Sequence, residues 1–65
     1  MNVYDILKTI EMYYDEKVNI LKLEFNDVYI EIHNNNTHNQ TTKIKNKMAI
    51  IGDYNYVINA IKSID

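Results

Sequence analysis

The chain has 65 residues, of which 46% are hydrophobic and 25% are charged, and its formal net charge is −2. This length allows a single small domain, which buries only about 60% of the surface that the unfolded chain exposes. The chain contains no cysteine, which excludes disulfides, thiolate metal sites and a cysteine nucleophile. No apolar run approaches the roughly 20 residues that a membrane-spanning helix needs, and no secretory signal is recognisable, so we expect a cytoplasmic protein without a membrane partner.

The N-terminal segment, residues 2–16, is predicted to form an amphipathic helix. Its apolar residues recur at three- and four-residue steps and make one continuous stripe: Val3, Ile6, Leu7, Ile10, Tyr13 and Tyr14. Asn2 can serve as the N-cap, which places Asp5 at the third helical position, where a negative charge favours the helix dipole.

Residues 18–33 are predicted to form a β-hairpin with Asn26 and Asp27 as its two-residue loop, because both residue types tolerate a positive φ. On one side, this register pairs only apolar residues: Phe25 with Val28, Leu23 with Ile30, and Leu21 with Ile32. On the other side, it pairs Lys22 with Glu31 and Glu24 with Tyr29. A slip of one residue would mix the two sides, so the pattern specifies its own register.

A polar loop and a third strand are predicted to follow the hairpin. Residues 34–42, NNNTHNQTT, contain no apolar residue to bury, which predicts a mobile loop. In residues 43–51, KIKNKMAII, apolar residues alternate with lysines, although Asn46 interrupts the apolar side. The alternating apolar residues are Ile44, Met48 and Ile50. This alternation predicts a single strand.

Gly52 and Asp53 end this strand, and Asp53 is predicted to cap a final helix. The buried stripe of that helix consists of Tyr54, Val57, Ile58, Ile61 and Ile64. In a competing interpretation, one helix begins near Lys47 and tolerates Gly52 inside it. The first interpretation gives an α+β fold of order α-β-β-β-α, a two-layer sandwich with two helices on one face of a three-stranded antiparallel sheet.

Candidate catalytic and metal-binding residues are few. His33 and His38 are the only histidines and lack neighbouring ligands in the sequence, so they do not predict a metal site. Ser63 has no histidine near it, and Asp15 and Glu16 are adjacent acids at a predicted helix end. No glycine-rich phosphate loop is present. We therefore expect a protein that is not an enzyme and needs no cofactor.

Protein binding is the function that the surface residues favour. Tyr4, Tyr29 and Tyr56 have no place in the predicted core, and exposed tyrosines are common in protein-binding surfaces. Glu24, Tyr29 and Glu31 are predicted to lie on the sheet face away from the helices. We expect these five residues to contact a host or phage protein. The same surface could form a homodimer, which would enlarge the small core.

Binding to single-stranded nucleic acid is an alternative function. Lys43, Lys45 and Lys47 would project from one face of the predicted third strand and contact phosphates, while tyrosines stack on bases. Alternating lysines are equally typical of an edge strand that is protected from aggregation. The net charge of −2 and the absence of arginine favour edge protection, so nucleic acid is the less favoured partner.

The opening segment, MNVYDILKTI, resembles the start of a family of small phage anti-CRISPR proteins, with Met1, Asn2, Asp5 and Ile10 matching. The segments YIEIHNNN and VINAIK are similar to the second strand and second helix of that family. This resemblance implies a helix, a three-stranded sheet and a second helix in that order. It also implies inhibition of a CRISPR effector nuclease by occupation of its DNA-binding surface.

The C-terminal segment resembles part of the biotin carboxyl carrier proteins. The matching residues are Gly52, Asp53, Val57, Ile58, Ala60 and Lys62. The resemblance implies a degenerate carrier fragment with biotin attached to Lys62, and it implies a hairpin where the periodicity predicts a helix.

Overall fold

The computed structural model describes residues 2–35 and 38–64, which form a two-layer α+β structure. Its elements are α1 (Val3–Tyr13), β1 (Ile20–Glu24), β2 (Val28–His33), β3 (Gln40–Ile44), β4 (Lys47–Gly52) and α2 (Tyr54–Lys62). The four strands form one sheet in the order β1-β2-β4-β3. The two outer pairs are antiparallel, and the central pair, β2 and β4, is parallel. The predicted α+β class is confirmed, whereas the predicted three-stranded antiparallel sheet is wrong.

Helix α1 begins as the sequence predicts and ends earlier. The backbone N–H of Asp5 donates to the side-chain oxygen of Asn2 at 3.1 Å, which confirms the predicted N-cap. The helix ends at Tyr13, three residues before the predicted end. Tyr13 is 59% exposed, so its assignment to the buried stripe is wrong. Tyr14 is the half-buried tyrosine, and its ring lies 4.4 Å from that of Tyr54.

The β1–β2 hairpin has the predicted register. Leu23 lies opposite Ile30, and Leu21 lies opposite Ile32. At the loop, the backbone N–H of Phe25 donates to the carbonyl oxygen of Val28 at 2.8 Å. The alternation of apolar and polar residues decides this register, because only one pairing brings the apolar residues of β1 at positions 21, 23 and 25 to the same side as those of β2 at positions 28, 30 and 32.

The predicted third strand is two strands joined by a turn at Lys45 and Asn46. Lys45 has a φ of 56°, and Ile44 pairs with Lys47 across the turn. β3 begins at Gln40, so the last three residues of the predicted loop 34–42 belong to a strand. Asn36 and Thr37 of that predicted loop lie outside the described residues.

The turn changes which residues share a face. In the β3–β4 pair, odd-numbered residues of one strand oppose even-numbered residues of the other, as Lys43 opposes Met48. Ile44 therefore lies on the face opposite to Met48 and Ile50, and it is 67% exposed. Its assignment to the apolar face of a single strand is wrong for this reason.

The core lies between the two helices and one face of the sheet. Eight aliphatic side chains are buried there: Ile6, Ile10, Val28, Ile30, Ile32, Ile50, Val57 and Ile61.

Asp53 caps α2 as predicted, accepting from the backbone N–H of Tyr56 at 2.8 Å. The competing single helix from Lys47 is wrong because Lys47 begins β4. Within residues 2–35 and 38–64, neither helix has the length and apolar character needed to cross a bilayer.

Gly52 is the last residue of β4, and another segment of the chain passes close to it. β4 lies between β2 and β3, so the connection from β2 to β3 passes its C-terminal end. Just before β3, the side-chain oxygen of Asn39 accepts from the backbone N–H of Asp53 at 2.9 Å. A Cβ on Gly52 would collide with that Asn39 oxygen and lie 2.7 Å from the Tyr56 ring. The crossing therefore requires a residue without a side chain.

Gly52→Ala is expected to lower the free energy of unfolding by about 1–3 kcal/mol, because Asn39 and Tyr56 must move. An unstrained Gly→Ala change would instead raise it by about 0.4–1 kcal/mol. Urea denaturation measures the difference. The control repeats Gly52→Ala in an Asn39→Gly background, where the cost should be smaller. An equal cost in both backgrounds would refute the proposed clash with Asn39.

Lys45→Gly is expected to raise the free energy of unfolding by a few tenths to about 1 kcal/mol. A side chain at positive φ is strained, and glycine is preferred where the first residue of a two-residue turn has positive φ. Asn46→Gly is the matched control and should be destabilising, because Asn46 has no positive φ to relieve. Thermal denaturation measures both variants. A loss of stability in Lys45→Gly would contradict the strain at this turn.

Candidate functional site

One face of the sheet has no helix packed against it in the part of the chain that the structure describes, and we call it the open face. The strand registers place twelve side chains there: Ile20, Lys22, Glu24, Tyr29, Glu31, His33, Gln40, Thr42, Ile44, Lys47, Ala49 and Ile51. Three of the five predicted contact residues, Glu24, Tyr29 and Glu31, lie together on it. The hairpin register, which the sequence specifies, is the reason that they do.

The open face has an apolar depression of about 390 Å³. Residues from both hairpins line it: Glu24, Tyr29, Thr42, Ile44, Lys47 and Ala49. Ile44 stands at its rim with 67% of its surface exposed, and Ile20 is 45% exposed at the far corner of the same face. The face therefore has a shallow apolar depression near the turn between β3 and β4 and an exposed isoleucine on each of its two edge strands.

Three side chains on β2 form a hydrogen-bonded row along the open face. The Tyr29 hydroxyl donates to one carboxylate oxygen of Glu31 at 2.5 Å, and Nε2 of His33 lies 2.6 Å from the other. The bond to Glu31 raises the pKa of Tyr29 to about 12. The bonds from Tyr29 and His33 hold the pKa of Glu31 below its usual value. Glu31 is thus ionised and hydrogen-bonded on both oxygens at neutral pH.

The charges of the open face balance each other. Lys47 of β4 forms an ion pair with Glu24 of β1, and Lys22 lies directly opposite Glu31. Two lysines and two glutamates give this face a formal charge of zero when His33 is neutral. The face therefore has no strong electrostatic preference for a highly charged partner.

Tyr4 and Tyr56, the other two predicted contact residues, lie away from the open face. Tyr4 is exposed on α1, where the Lys8 ammonium lies 5.9 Å from its ring centroid. Tyr56 of α2 is half-buried against the core, and its hydroxyl oxygen is 2.7 Å from that of Thr41. The five predicted residues therefore do not form one continuous surface.

The three lysines of the predicted nucleic-acid site do not share a face. Lys43 is on the helix side of β3, opposite Met48, whereas Lys47 is on the open face. Lys45 is in the turn between them. The alternation that predicted a single basic face is interrupted by this turn, so that prediction of the site's geometry is wrong.

The other candidates for chemistry do not form a metal-ligating cluster, and two of them make local hydrogen bonds. Among residues 2–35 and 38–64, no group of three or more metal-ligating side chains is present. The Ser63 hydroxyl donates to the carbonyl oxygen of Asn59, and Asp15 accepts from the backbone N–H of Lys17. Lys62 ends helix α2, so the hairpin implied by the resemblance to biotin carriers is absent at this position.

No protein-family model matches this chain, and neither a curated protein nor a solved structure matches it. Function is therefore inferred from the geometry of the open face. The contribution of the second hairpin to this face is not predicted from the sequence, because the alternation of residues 43–51 assigns Ile44 to the core. The interruption of the apolar pattern at Asn46 was the signal that could have shown it.

Tyr29→Phe is expected to lower the free energy of unfolding at neutral pH by about 1 kcal/mol, because the hydrogen bond to ionised Glu31 is lost. Tyr29 contributes stability in full below its unfolded-state pKa of 10.0, and the contribution is lost as pH rises to about 12. Glu31 contributes above its usual pKa of 4.5, and its contribution is lost as pH falls through the lowered value.

Urea denaturation across the pH range measures this dependence. In Tyr29→Phe, the loss of stability above pH 10.0 should be smaller, and the loss on the acid side should also be smaller and should be complete at a higher pH than in the unmodified protein. Tyr13→Phe changes an exposed tyrosine of α1 and serves as the control. Identical pH profiles for the two variants would show that the Tyr29–Glu31 bond does not affect stability.

Proposed function

We propose that this protein is a small, non-enzymatic, cytoplasmic protein-binding module whose contact surface is the open face. The observation that carries this proposal is the apolar depression on the open face, with the exposed side chain of Ile44 at its rim. Ile44 exposes 67% of its surface there, next to the apolar lining atoms of Tyr29 and Ala49. Contiguous exposed apolar surface on a small protein is typical of an interaction site.

The charge arrangement supports a protein partner rather than a phosphate backbone. The ion pair of Lys47 with Glu24 and the hydrogen bonds of Glu31 compensate these charges before any partner arrives. Phosphate binding is driven by uncompensated cations, which release counterions from the nucleic acid. A protein surface with mixed polarity and an apolar centre is the better complement to this face.

The shape of the depression supports binding rather than catalysis. It is shallow, and its only charged lining residues, Glu24 and Lys47, form an ion pair with each other. Catalytic sites instead place a nucleophile or a base within reach of an enclosed substrate. An apolar side chain of a partner fits such a depression as an anchor.

A host or phage protein is the class of partner that we propose. The resemblance of the opening segment to phage anti-CRISPR proteins makes a CRISPR effector nuclease the first candidate. Within this proposal, the protein inhibits its partner by covering a functional surface of mixed polarity, because the uncharged open face does not complement a strongly basic surface. No chemical step is required, because occupation alone is sufficient.

Ile44→Glu is expected to weaken partner binding by at least about tenfold, because it places a charge at the apolar rim. Met12→Glu is the matched control, since Met12 is 73% exposed on α1, away from the open face. Both variants should remain folded. The measurement is inhibition of DNA cleavage by a purified CRISPR effector nuclease with its guide RNA, titrated with each protein.

The same pair of variants tests other partners. A protein captured from host lysate by the unmodified chain is purified, and its dissociation constant is measured for each variant. Loss of binding in Ile44→Glu with retention in Met12→Glu is the expected result. Equal binding by the two variants would show that the open face is not the contact surface.

A further inference from the structure

The outer edge of β1 leaves apolar surface partly uncovered on the helix side of the sheet. Leu21, Leu23 and Phe25 are only half-buried, whereas Ile30 and Ile32, which face two of them across the hairpin, are at most 1% exposed. β1 is an edge strand, and no strand in residues 2–35 and 38–64 pairs with its outer side. The row of half-buried side chains ends at this edge.

The backbone groups that point outward from β1 follow from the hairpin bonds. Phe25 bonds to Val28, and the backbone N–H of Asn34 bonds to the carbonyl oxygen of Asn19. Hydrogen-bonded pairs alternate along an antiparallel hairpin, so Leu23 and Leu21 also bond inward. The N–H and C=O groups of the residues between them, Lys22 and Glu24, therefore point away from the sheet.

We propose that β1 pairs antiparallel with β1 of a second copy of this chain, with Leu23 opposite Leu23. In this register, Lys22 of each copy lies opposite Glu24 of the other, and the outward backbone groups of these residues meet. On the helix side, Leu21 of each copy lies opposite Phe25 of the other. The two sheets become one continuous sheet of eight strands.

Charge selects this register over its neighbours. A shift by one residue would place outward backbone groups opposite inward ones and lose the hydrogen bonds. A register shifted by two residues keeps the hydrogen bonds but brings like charges together. With Lys22 opposite Lys22, two lysines face each other, and with Glu24 opposite Glu24, two glutamates do. Like charges directly opposite each other are unfavourable in a sheet, and opposite charges are favourable.

The paired edges also extend the charge pattern of the open face. Within one copy, Lys47 pairs with Glu24, and Lys22 lies opposite Glu31. Across the junction, the order becomes Lys47, Glu24, Lys22 of the second copy and Glu31 of the second copy, so the signs alternate throughout. The edge strand β3 offers no comparable arrangement, because all five of its residues are exposed and no row of half-buried apolar side chains lies along it.

The molar mass in solution, measured by sedimentation equilibrium over a range of concentrations, tests the proposal. Twice the chain mass of 7.7 kDa is expected at high concentration. Lys22→Glu and Glu24→Lys should each raise the dimer dissociation constant by about tenfold, because each places like charges opposite each other at two positions. Lys43→Glu makes the same charge change on the other edge strand and should leave the constant unchanged.

Mixing the two β1 variants gives the decisive result. Lys22→Glu and Glu24→Lys should form a heterodimer with each other, since every facing pair is then opposite in sign. Circular dichroism verifies that each variant is folded. A monomer at all concentrations, a mixture that fails to associate, or a loss of association in Lys43→Glu instead would each overturn the proposal.

This inference is independent of the proposed function, and the outcomes separate the two. A monomeric chain that still loses its partner in Ile44→Glu would overturn the dimer and leave the binding function in place. A dimer whose partner binding is unchanged by Ile44→Glu would support the pairing of β1 and overturn the role of the open face.

Discussion

The parallel pairing of β2 with β4 is the interaction on which the rest of the molecule depends. It joins two hairpins that would otherwise have no common core. Ile30 lies opposite Ile50 in this pair, and both are fully buried beneath the helices. On the other side of the sheet, the same pairing places Tyr29 beside Ala49, so the apolar depression of the open face spans both hairpins. Neither the core nor the candidate site exists within one hairpin alone.

The two hairpins differ in how far the sequence predicts them. In the first hairpin, only one register satisfies the apolar pattern, so its pairing follows from the residues. Neither Asn26 nor Asp27 has the positive φ on which the turn prediction relied. The second turns at Lys45, a residue type that gives no turn signal, although its φ is positive. Ile44 and Met48 are compatible with a single strand, and only the turn places them on opposite faces.

The candidate site was predictable to the same extent as the strands that form it. Glu24, Tyr29 and Glu31 were correctly placed on the uncovered face because their hairpin register was correct. Tyr56 could not be placed, since its half-buried position depends on Gly52 and on the hydroxyl of Thr41, which are brought to it by long-range contacts. The apolar pattern of the last helix leaves Tyr56 out of the predicted core, and only the fold shows that it packs against that core.

The position of β4 in the chain has a consequence for how the protein reaches its native state. This strand lies in the interior of the sheet, yet it is the last strand to be synthesised. An emerging chain that ends before residue 47 has both edges of its future sheet and none of the strand that connects them. Stable assembly must therefore wait for nearly the whole polypeptide, and we infer that helices and strands form in one cooperative step rather than hairpin by hairpin.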